Sequence, residues 1–235
     1  WFAARYNSWG VFWQKYKVEN KKEKIADFKT AISSTVRSLS NSEKIEVSFG
    51  NDGSKSGTNS IRLPELNPIN NKFNYNQIRA IADSKSLRHR FSDPKTFEQF
   101  EPNGNISKQL YKISEKIRCE KIGTSYFKGV KNNIETFYQE RLNGLDLKSS
   151  EDKIVESFEN YLRTKFLDFE NNSQIDKKLK SYKKDLNEKF KDKIGQLNEF
   201  TLDQEKFNSL ISELITDMNL DENLDEEEKK DDEKN

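Results

Sequence analysis

Charged side chains of opposite sign recur between residues 78 and 123 at spacings that allow ion pairs. Arg79 and Asp83 lie four residues apart, and Glu115 and Arg118 lie three apart. On a helix both separations bring side chains to the same face. Exposed pairs of this kind contribute only about a few tenths of a kcal/mol, so we expect any important role to lie in a buried network or a docking surface.

Glu120 and two further charged residues belong to the same set. Glu120 follows Arg118 by two positions, so its side chain leaves the helix in a different direction and can meet another helix or a partner. We interpret the set as structural ion pairs that tie helices together, with a subunit-docking surface as the alternative. Its candidate residues are Arg79, Asp83, Arg88, Asp93, Glu115, Arg118 and Glu120.

Familiar catalytic patterns are absent from the sequence. His89 is the single histidine, so neither a zinc site with two imidazoles on one helix face nor a Ser-His-Asp triad can be assembled. No GxxxxGK(S/T) phosphate loop occurs, and we expect no ATP hydrolysis by this chain alone. Cys119, the single cysteine, is interpreted as a small packed residue and fits a reducing cytoplasm. We therefore predict no catalytic, cofactor-binding or metal-ligating residue.

One short segment has the spacing of a metal site. Asp52, Ser54 and Ser56 follow the D-x-S-x-S pattern with which von Willebrand A-type domains hold Mg²⁺. Gly50 and Asn51 separate this segment from the preceding predicted strand, and the neighbouring residues favour turns. We interpret it as an ordinary polar loop.

The composition is typical of a helical protein with much exposed surface. Of the 235 residues 34% are charged and 32% hydrophobic, with a mean hydropathy of -1.01. Sixteen Phe and eight Tyr supply bulky side chains for a core. The sequence has no apolar run of about 18 residues, so we expect no membrane span.

The net charge of +1 hides an uneven distribution of charge. Residues 221–235 hold nine acidic side chains and three lysines, which leaves the remainder of the chain modestly basic. We interpret that excess, including the lysine-rich segment 177–193, as solvated helix surface rather than a nucleic-acid site. The acidic run cannot bury enough apolar surface to offset its ordering entropy, and we expect it to be disordered.

Apolar periodicity predicts an α+β fold that is predominantly α-helical, with a small β-hairpin near the N-terminus. The hairpin is formed by two short strands with alternating apolar residues, at 45–49 and 61–63. The final helix follows Thr201 or Asp203, either of which can cap it. The other predicted helices are 24–39, 75–91, 106–122 with Gly123 as its cap, 129–142, 154–169 and a long near-heptad helix over 175–197.

The predicted elements divide the chain into four parts. Residues 1–23 form an aromatic-rich extension, 24–145 a mixed α/β part, 146–220 a helical part and 221–235 the start of an acidic linker. We find no internal repeat of fixed period.

A series of short motifs runs through the chain in a defined order. The motifs are Ile61-Arg62-Leu63-Pro64, Arg79, Ala82-Asp83, Leu87-Arg88, Asp93-Pro94, Pro102-x-Gly104, Glu115-x-x-Arg118-x-Glu120, Gly129-Val130 with Asn133, and Leu202-Asp203-Gln204 with Phe207. Their order and spacing resemble the amino-terminal region of the CobT subunit of aerobic cobaltochelatase. The resemblance covers roughly residues 24–235.

The resemblance implies a cytoplasmic assembly that inserts Co²⁺ into hydrogenobyrinic acid a,c-diamide in aerobic cobalamin biosynthesis. In that assembly an AAA+ partner, CobS, hydrolyses ATP with Mg²⁺, the large subunit CobN holds the corrinoid, and CobT-like chains couple the two. By this resemblance the chain is a non-catalytic docking fragment of an oligomeric complex. A carboxyl-terminal von Willebrand A-type domain would follow Asn235.

Two alternatives to this interpretation stay open. The chain could be a non-enzymatic helical adaptor of another AAA+ and von Willebrand A-type system, with its 175–197 helix zipped onto a partner. Within the chelatase interpretation, the acidic run could gather Co²⁺ weakly instead of acting as a solubilising spacer.

Overall fold

The computed structural model describes most of the chain, namely residues 22–50, 59–66, 68–69, 72–170, 177 and 179–220. The predictions for the extension up to residue 21, for the Asp52 segment and for the acidic run 221–235 lie outside these residues. Within the described part the predominantly helical α+β class is confirmed. No described helix is both long and apolar enough to cross a membrane.

Helices dominate the order of elements, with short strands near the start. The strands are β1 (Glu46–Phe49), β2 (Ser60–Leu63), β3 (Pro68–Ile69) and β4 (Lys72–Phe73). The helices are α1 (22–39), α2 (Tyr75–Phe91), α3 (Pro94–Gln99), α4 (Asn105–Tyr126), α5 (Lys128–Asn143), α6 (Ser150–Phe166), α7 (Lys180–Phe190), α8 (Ile194–Glu199) and α9 (Gln204–Thr216), with a 3₁₀ turn at Phe200–Leu202 before α9.

The chain divides within α2, between Ala82 and Asp83, into two compact units. The amino-terminal unit ends at Ala82 and contains α1, the strands and the first part of α2. Its apolar core is formed by the buried residues Ile32, Val36, Ile45, Ile61, Leu63, Leu66, Ile78 and Ala82. The four-part division predicted from the sequence, with a boundary near residue 145, stays a prediction.

The predicted hairpin is wrong, because β1 and β2 run parallel. Val47 pairs with Ile61 and Phe49 with Leu63. Alternation of apolar residues determines which face of a strand is buried but does not determine the direction of its partner. The connection over residues 50–59 is longer than the two to five residues, roughly, of a hairpin turn. A short antiparallel pair does follow, between β3 and β4.

Helix α4 is the element around which the carboxyl-terminal unit is packed. It contacts α5, α6 and α9, and α6 in turn contacts α7 and α8. Phenylalanine pairs join α6 to α7 and to α9. The ring centroids lie 5.7 Å apart for Phe158 and Phe190 and 5.8 Å apart for Phe166 and Phe207. The aromatic-rich composition therefore supplies the core between the helices.

The long helix predicted over residues 175–197 is interrupted in the described part of that range. α7 ends at Phe190, and a turn at 191–193 leads into α8. The turn contains no proline or glycine, so a local helix breaker does not explain it. Phe190 and Leu197 are each 0% exposed, and α7 and α8 both pack against α6. Tertiary packing on both sides of the turn has overridden the regular apolar pattern.

Two aspartates begin helices through their side chains. Asp203 is confirmed as the cap of α9, because its Oδ1 accepts a hydrogen bond from the backbone N–H of Lys206 at 3.1 Å. Asp93 caps α3, a helix that the sequence analysis missed, and accepts from the backbone N–H of Thr96 at 2.8 Å. Asp93-Pro94 ends one helix and starts the next, since proline is favoured at the first helical position.

The prediction that Gly123 ends its helix is wrong, because α4 continues to Tyr126. A Cβ atom at position 123 would lie 2.3 Å from Cδ2 of Leu87 on α2. The leucine is 0% exposed, so it has no room to move away. The glycine is therefore required for the close approach of α2 and α4.

We expect Gly123→Ala to lower the free energy of unfolding by about 1–3 kcal/mol, because the added methyl group overpacks the contact with Leu87. Urea denaturation measures this change. Gly129→Ala is the matched control, since nothing lies within 4 Å of a Cβ there and alanine is favoured in a helix by about 0.5–1 kcal/mol. Equal stability of the two variants would contradict the packing argument.

Candidate functional site

Glu115 and Arg118 form a buried ion pair on α4. Their side chains are 0% and 1% exposed, respectively. The guanidinium donates from Nε to Oε2 and from Nη2 to Oε1, each at 2.8 Å. A two-bond contact of this kind fixes the plane of the guanidinium as well as its position.

Arg118 also connects α4 to two other segments. Its Nη2 donates to the carbonyl oxygen of Phe91 at 2.6 Å, and its Nη1 donates to that of Thr201 at 2.9 Å. Burial acts to lower the pKa of Arg118, but the hydrogen bonds and charge of Glu115 raise it above its ordinary value. The arginine therefore stays charged while it satisfies the last carbonyl of α2 and the 3₁₀ turn.

Glu120, nearer the C-terminal end of the same helix, joins α4 to α2 and α6. One carboxylate oxygen accepts from Nη1 of Arg163 at 2.7 Å, and the other accepts from the hydroxyl of Ser84 at 2.6 Å. The glutamate is 0% exposed and the arginine side chain 2% exposed. Because both charges are removed from water, each depends on the other for compensation.

Arg163 and Glu159 extend this contact along α6. Arg163 donates from Nε to Oε1 of Glu159 at 2.9 Å, and its Nη2 lies 2.8 Å from the same oxygen. Glu159 also contacts Arg141 at 3.0 Å and Lys116 at 3.7 Å. Burial acts to raise the pKa of Glu159, but the three neighbouring cations outweigh it and lower the pKa to about 2.

Arg141 of α5 completes the network at its outer end. It donates to both carboxylate oxygens of Glu156, at 2.8 and 2.9 Å. The hydroxyl of Tyr138 donates to Glu156 at 3.2 Å and accepts from Asn160 at 3.3 Å. Burial, with the charges of Glu159 and Glu156, raises the pKa of Tyr138 well above its ordinary value. We call the set Ser84, Lys116, Glu120, Tyr138, Arg141, Glu156, Glu159, Asn160 and Arg163 the charge network.

The predicted site residues separate into buried and exposed groups. Asp83, Glu115, Arg118 and Glu120 are buried, and the structure unites Glu115 with Arg118 directly. Asp83 accepts a hydrogen bond from the side-chain amide of Asn133 on α5 at 2.8 Å. These side chains therefore hold helices together and have no surface to offer a partner.

The remaining predicted site residues, Arg79, Arg88 and Asp93, are exposed. The guanidinium of Arg79 lies 5.8 Å from the ring centroid of Phe28, and that of Arg88 lies 5.1 Å from that of Phe97. Hydrogen bonds from Thr96 lower the pKa of Asp93. These contacts leave the three side chains accessible, so a docking role for the set would rest on them.

A model of the family described as "Cobalamin biosynthesis protein CobT" matches residues 22–235. The chain belongs to the CobT family. This confirms the resemblance drawn from the motif order and places the protein in cobalamin biosynthesis. No solved structure matches the chain.

Sequence reasoning missed the part of the charge network that lies on α6 of this CobT-family chain. Glu156, Glu159 and Arg163 fall in a predicted helix to whose charged residues the sequence analysis assigned no role. The Glu159–Arg163 spacing of four was a usable signal, because it matches an intrahelical ion pair. The helix also carries apolar residues on several sides, at Phe158, Tyr161, Leu162 and Phe166, which indicates that it is buried nearly all round.

Every charged side chain of the charge network takes part in an ion pair. Among the described residues no group of three His, Cys, Asp or Glu side chains is placed to hold a metal ion. Cys119 is buried, and burial, with the charge of Glu115, raises its pKa well above the ordinary value. The thiol therefore stays protonated near neutral pH and is a poor nucleophile.

We expect Arg163→Met to lower the free energy of unfolding by about 3–5 kcal/mol, because Glu120 is left buried without its counter-charge. Adding Glu120→Gln should recover part of that loss, and a double-mutant cycle in urea measures the coupling. Lys148→Met is the control, since its pair with Asp146 is 80% and 74% exposed and should contribute less than about 1 kcal/mol. Additive effects of Arg163→Met and Glu120→Gln would contradict the proposed coupling.

The low pKa of Glu159 makes stability depend on pH in the acid range. The folded pKa is lowered from 4.5 to about 2, so its contribution is fully present above pH 4.5 and is lost as the pH falls toward 2. The expected loss is up to about 3 kcal/mol. Urea midpoints of wild type and Glu159→Gln at several pH values measure this: the variant should be less stable at pH 7 and less sensitive to acid. Glu199→Gln, at an exposed position, should show the same change of urea midpoint with pH as the wild type. If Glu159→Gln also showed the wild-type change, Glu159 would not be the source of the acid sensitivity.

Proposed function

We propose that this CobT-family chain is a docking and coupling part of an ATP-dependent cobaltochelatase. The complex would insert Co²⁺ into hydrogenobyrinic acid a,c-diamide during aerobic cobalamin biosynthesis. A CobS-like AAA+ ATPase would hydrolyse ATP with Mg²⁺, and a CobN-like large subunit would hold the corrinoid. The family match over residues 22–235 carries the proposal.

The chemistry of the chain supports a coupling role rather than a catalytic one. The sequence contains no phosphate-binding loop and one histidine. In the described residues the clustered ionisable groups are consumed by ion pairs between helices, as in the contact of Arg163 with Glu120. A subunit with these properties can transmit force or hold partners together, while bond-making belongs to other polypeptides.

An exposed aromatic pair supplies a candidate docking point for the ATPase. Tyr126 and Phe127 are 67% and 37% exposed, with ring centroids 6.4 Å apart. They stand where α4 ends and α5 begins. Exposed aromatic side chains are frequent among the residues that dominate binding energy.

The position of this pair at the end of α4 suits a coupling module. The same helix carries Glu115, Arg118 and Glu120, whose buried ion pairs attach it to α2 and α6. A binding residue on a rigid element loses little conformational freedom when the partner docks. Movement of the ATPase would then be passed to a helix that cannot shift without disturbing charged contacts.

The alternative is a helical adaptor of another AAA+ and von Willebrand A-type system, without enzymatic activity. The exposed aromatic pair would suit either partner, since its chemistry is not specific to corrin metabolism. A chelatase reconstituted from purified subunits separates the two, because only the first proposal requires the chain for cobalt insertion. An undiminished rate of insertion without this chain would remove the chelatase role.

We expect the double variant Tyr126→Ala/Phe127→Ala to bind the CobS-like ATPase at least about 30-fold more weakly, since loss of one dominant contact corresponds to about 2 kcal/mol. A pull-down followed by calorimetry measures the affinity. Leu202→Ala is the control, because Leu202 is 76% exposed and lies outside the aromatic pair. Wild-type affinity in the double variant, with its fold intact by circular dichroism, would contradict this docking point.

A further inference from the structure

The motif Pro102-x-Gly104 has no part in the charge network or in the proposed docking point. Pro102 is buried, and Gly104 lies directly before α4 with a φ angle of 90°. Residues with a side chain rarely adopt a positive φ of this size, so position 104 requires glycine. Asn103 stands between the two and is exposed. The backbone at the start of α4 therefore places an asparagine directly before a glycine at the protein surface.

An asparagine that precedes a glycine can react with the backbone of its own chain. The amide nitrogen of the glycine loses its proton and attacks Cγ of the asparagine side chain, and ammonia leaves as a cyclic imide forms. Glycine permits this attack most readily, because it has no Cβ to obstruct the approach.

Water then opens the imide ring in one of two ways. If the bond between the nitrogen and Cγ breaks, the product is aspartate. If the bond between the nitrogen and the backbone carbonyl carbon breaks, the product is isoaspartate, in which the main chain runs through Cβ and Cγ. In both cases the chain gains the elements of water and loses ammonia, without any oxidation or reduction.

The chain contains two Asn-Gly pairs, Asn103-Gly104 and Asn143-Gly144. Both asparagines are exposed, so exposure does not distinguish them. Asn143 is the last residue of α5, and the N–H of Gly144 donates to the carbonyl oxygen of Arg141 at 3.3 Å. Attack by the Gly144 nitrogen therefore requires the last turn of the helix to open first.

The first pair lacks these restraints. Asn103 and Gly104 precede the first residue of α4 and form a bend. Among the described residues no group accepts a hydrogen bond from the N–H of Gly104, and none is hydrogen-bonded to the side chain of Asn103. The attacking nitrogen and the Cγ atom can therefore approach each other without breaking a hydrogen bond between described residues.

We propose that Asn103 is a site of spontaneous deamidation in the folded protein and that Asn143 is protected from the same reaction. Water is the co-reactant, and the products are ammonia and a chain with aspartate or isoaspartate at position 103. The modified residue lies at the start of α4, the helix that contacts α5, α6 and α9. This site is independent of the proposed docking role.

The two products differ in their effect on the start of α4. Aspartate leaves the main chain unchanged and adds a negative charge near a helix N-terminus, where such a charge is favourable. Isoaspartate adds a methylene group to the main chain between Pro102 and Gly104. We expect isoaspartate to disturb the start of the helix, because Pro102 is buried and the longer backbone must be accommodated elsewhere.

Incubation of the intact chain at mildly alkaline pH tests the proposal, because base removes the proton from the attacking nitrogen. Peptide mass spectrometry measures deamidation at each position, and released ammonia measures the total. We expect Asn103 to react at least about tenfold faster than Asn143 in the folded chain, since reaction at Asn143 requires local opening. In urea both pairs lose their structure, and the two rates should agree within about threefold.

Asn103→Gln should remove most of the ammonia release, because the longer side chain must close a larger and less favourable ring. Asn143→Gln is the matched control: it removes the other Asn-Gly pair and should leave the release from the folded chain unchanged. Thermal melting supplies a second readout. Aged wild-type protein that is rich in isoaspartate should melt at a lower temperature than fresh protein, whereas Asn103→Asp should melt no lower.

The deamidation site would be wrong if Asn143 reacted as fast as Asn103 in the folded chain, or if Asn103→Gln released as much ammonia as the wild type. An unchanged melting temperature in the isoaspartate-rich protein, or an equal loss in Asn103→Asp, would contradict the effect assigned to the longer backbone.

Discussion

Buried arginines that each bind more than one helix are the constraint on which the carboxyl-terminal unit depends. Arg163 lies between Glu120 and Glu159, and Arg118 joins Glu115 to two backbone carbonyls. Apolar packing alone tolerates sliding and rotation of helices, because it is non-directional. A buried guanidinium does not tolerate such movement, since displacing its helix leaves a charge unpaired in a medium of low dielectric. We therefore expect the ion pairs to favour one arrangement of this aromatic-rich bundle.

This constraint gives α4 its central position. The helix carries both partners of the pair Glu115–Arg118 and the glutamate of the pair Glu120–Arg163. At Gly123 it approaches α2 closely enough to exclude a side chain. It ends at Tyr126, beside an exposed Phe127. A rigid helix that presents an exposed aromatic group at its end is what a subunit needs if its role in cobalamin biosynthesis is to couple partners.

Helix α6 carries two kinds of charge chemistry on different sides. Arg163 and Glu159 lie within the charge network, where every charge meets its opposite. Lys165 of the same helix is exposed and lies outside the charge network. In the charge network the opposite charges neutralise each other, and their contacts stabilise the fold. An exposed charge of the second kind contributes little to stability, because it keeps its contact with water.

The sequence by itself determined the helical class, the limits of α2 and membership of the CobT family, because these depend on local spacing and on motif order. Strand direction, the break after Phe190 and the extension of α4 beyond Gly123 were decided by the tertiary structure. So was the pairing of Glu120 with Arg163, which stand 43 residues apart. Periodicity reveals which face of a helix is buried but not which charged side chain lies opposite, since that depends on how whole helices cross.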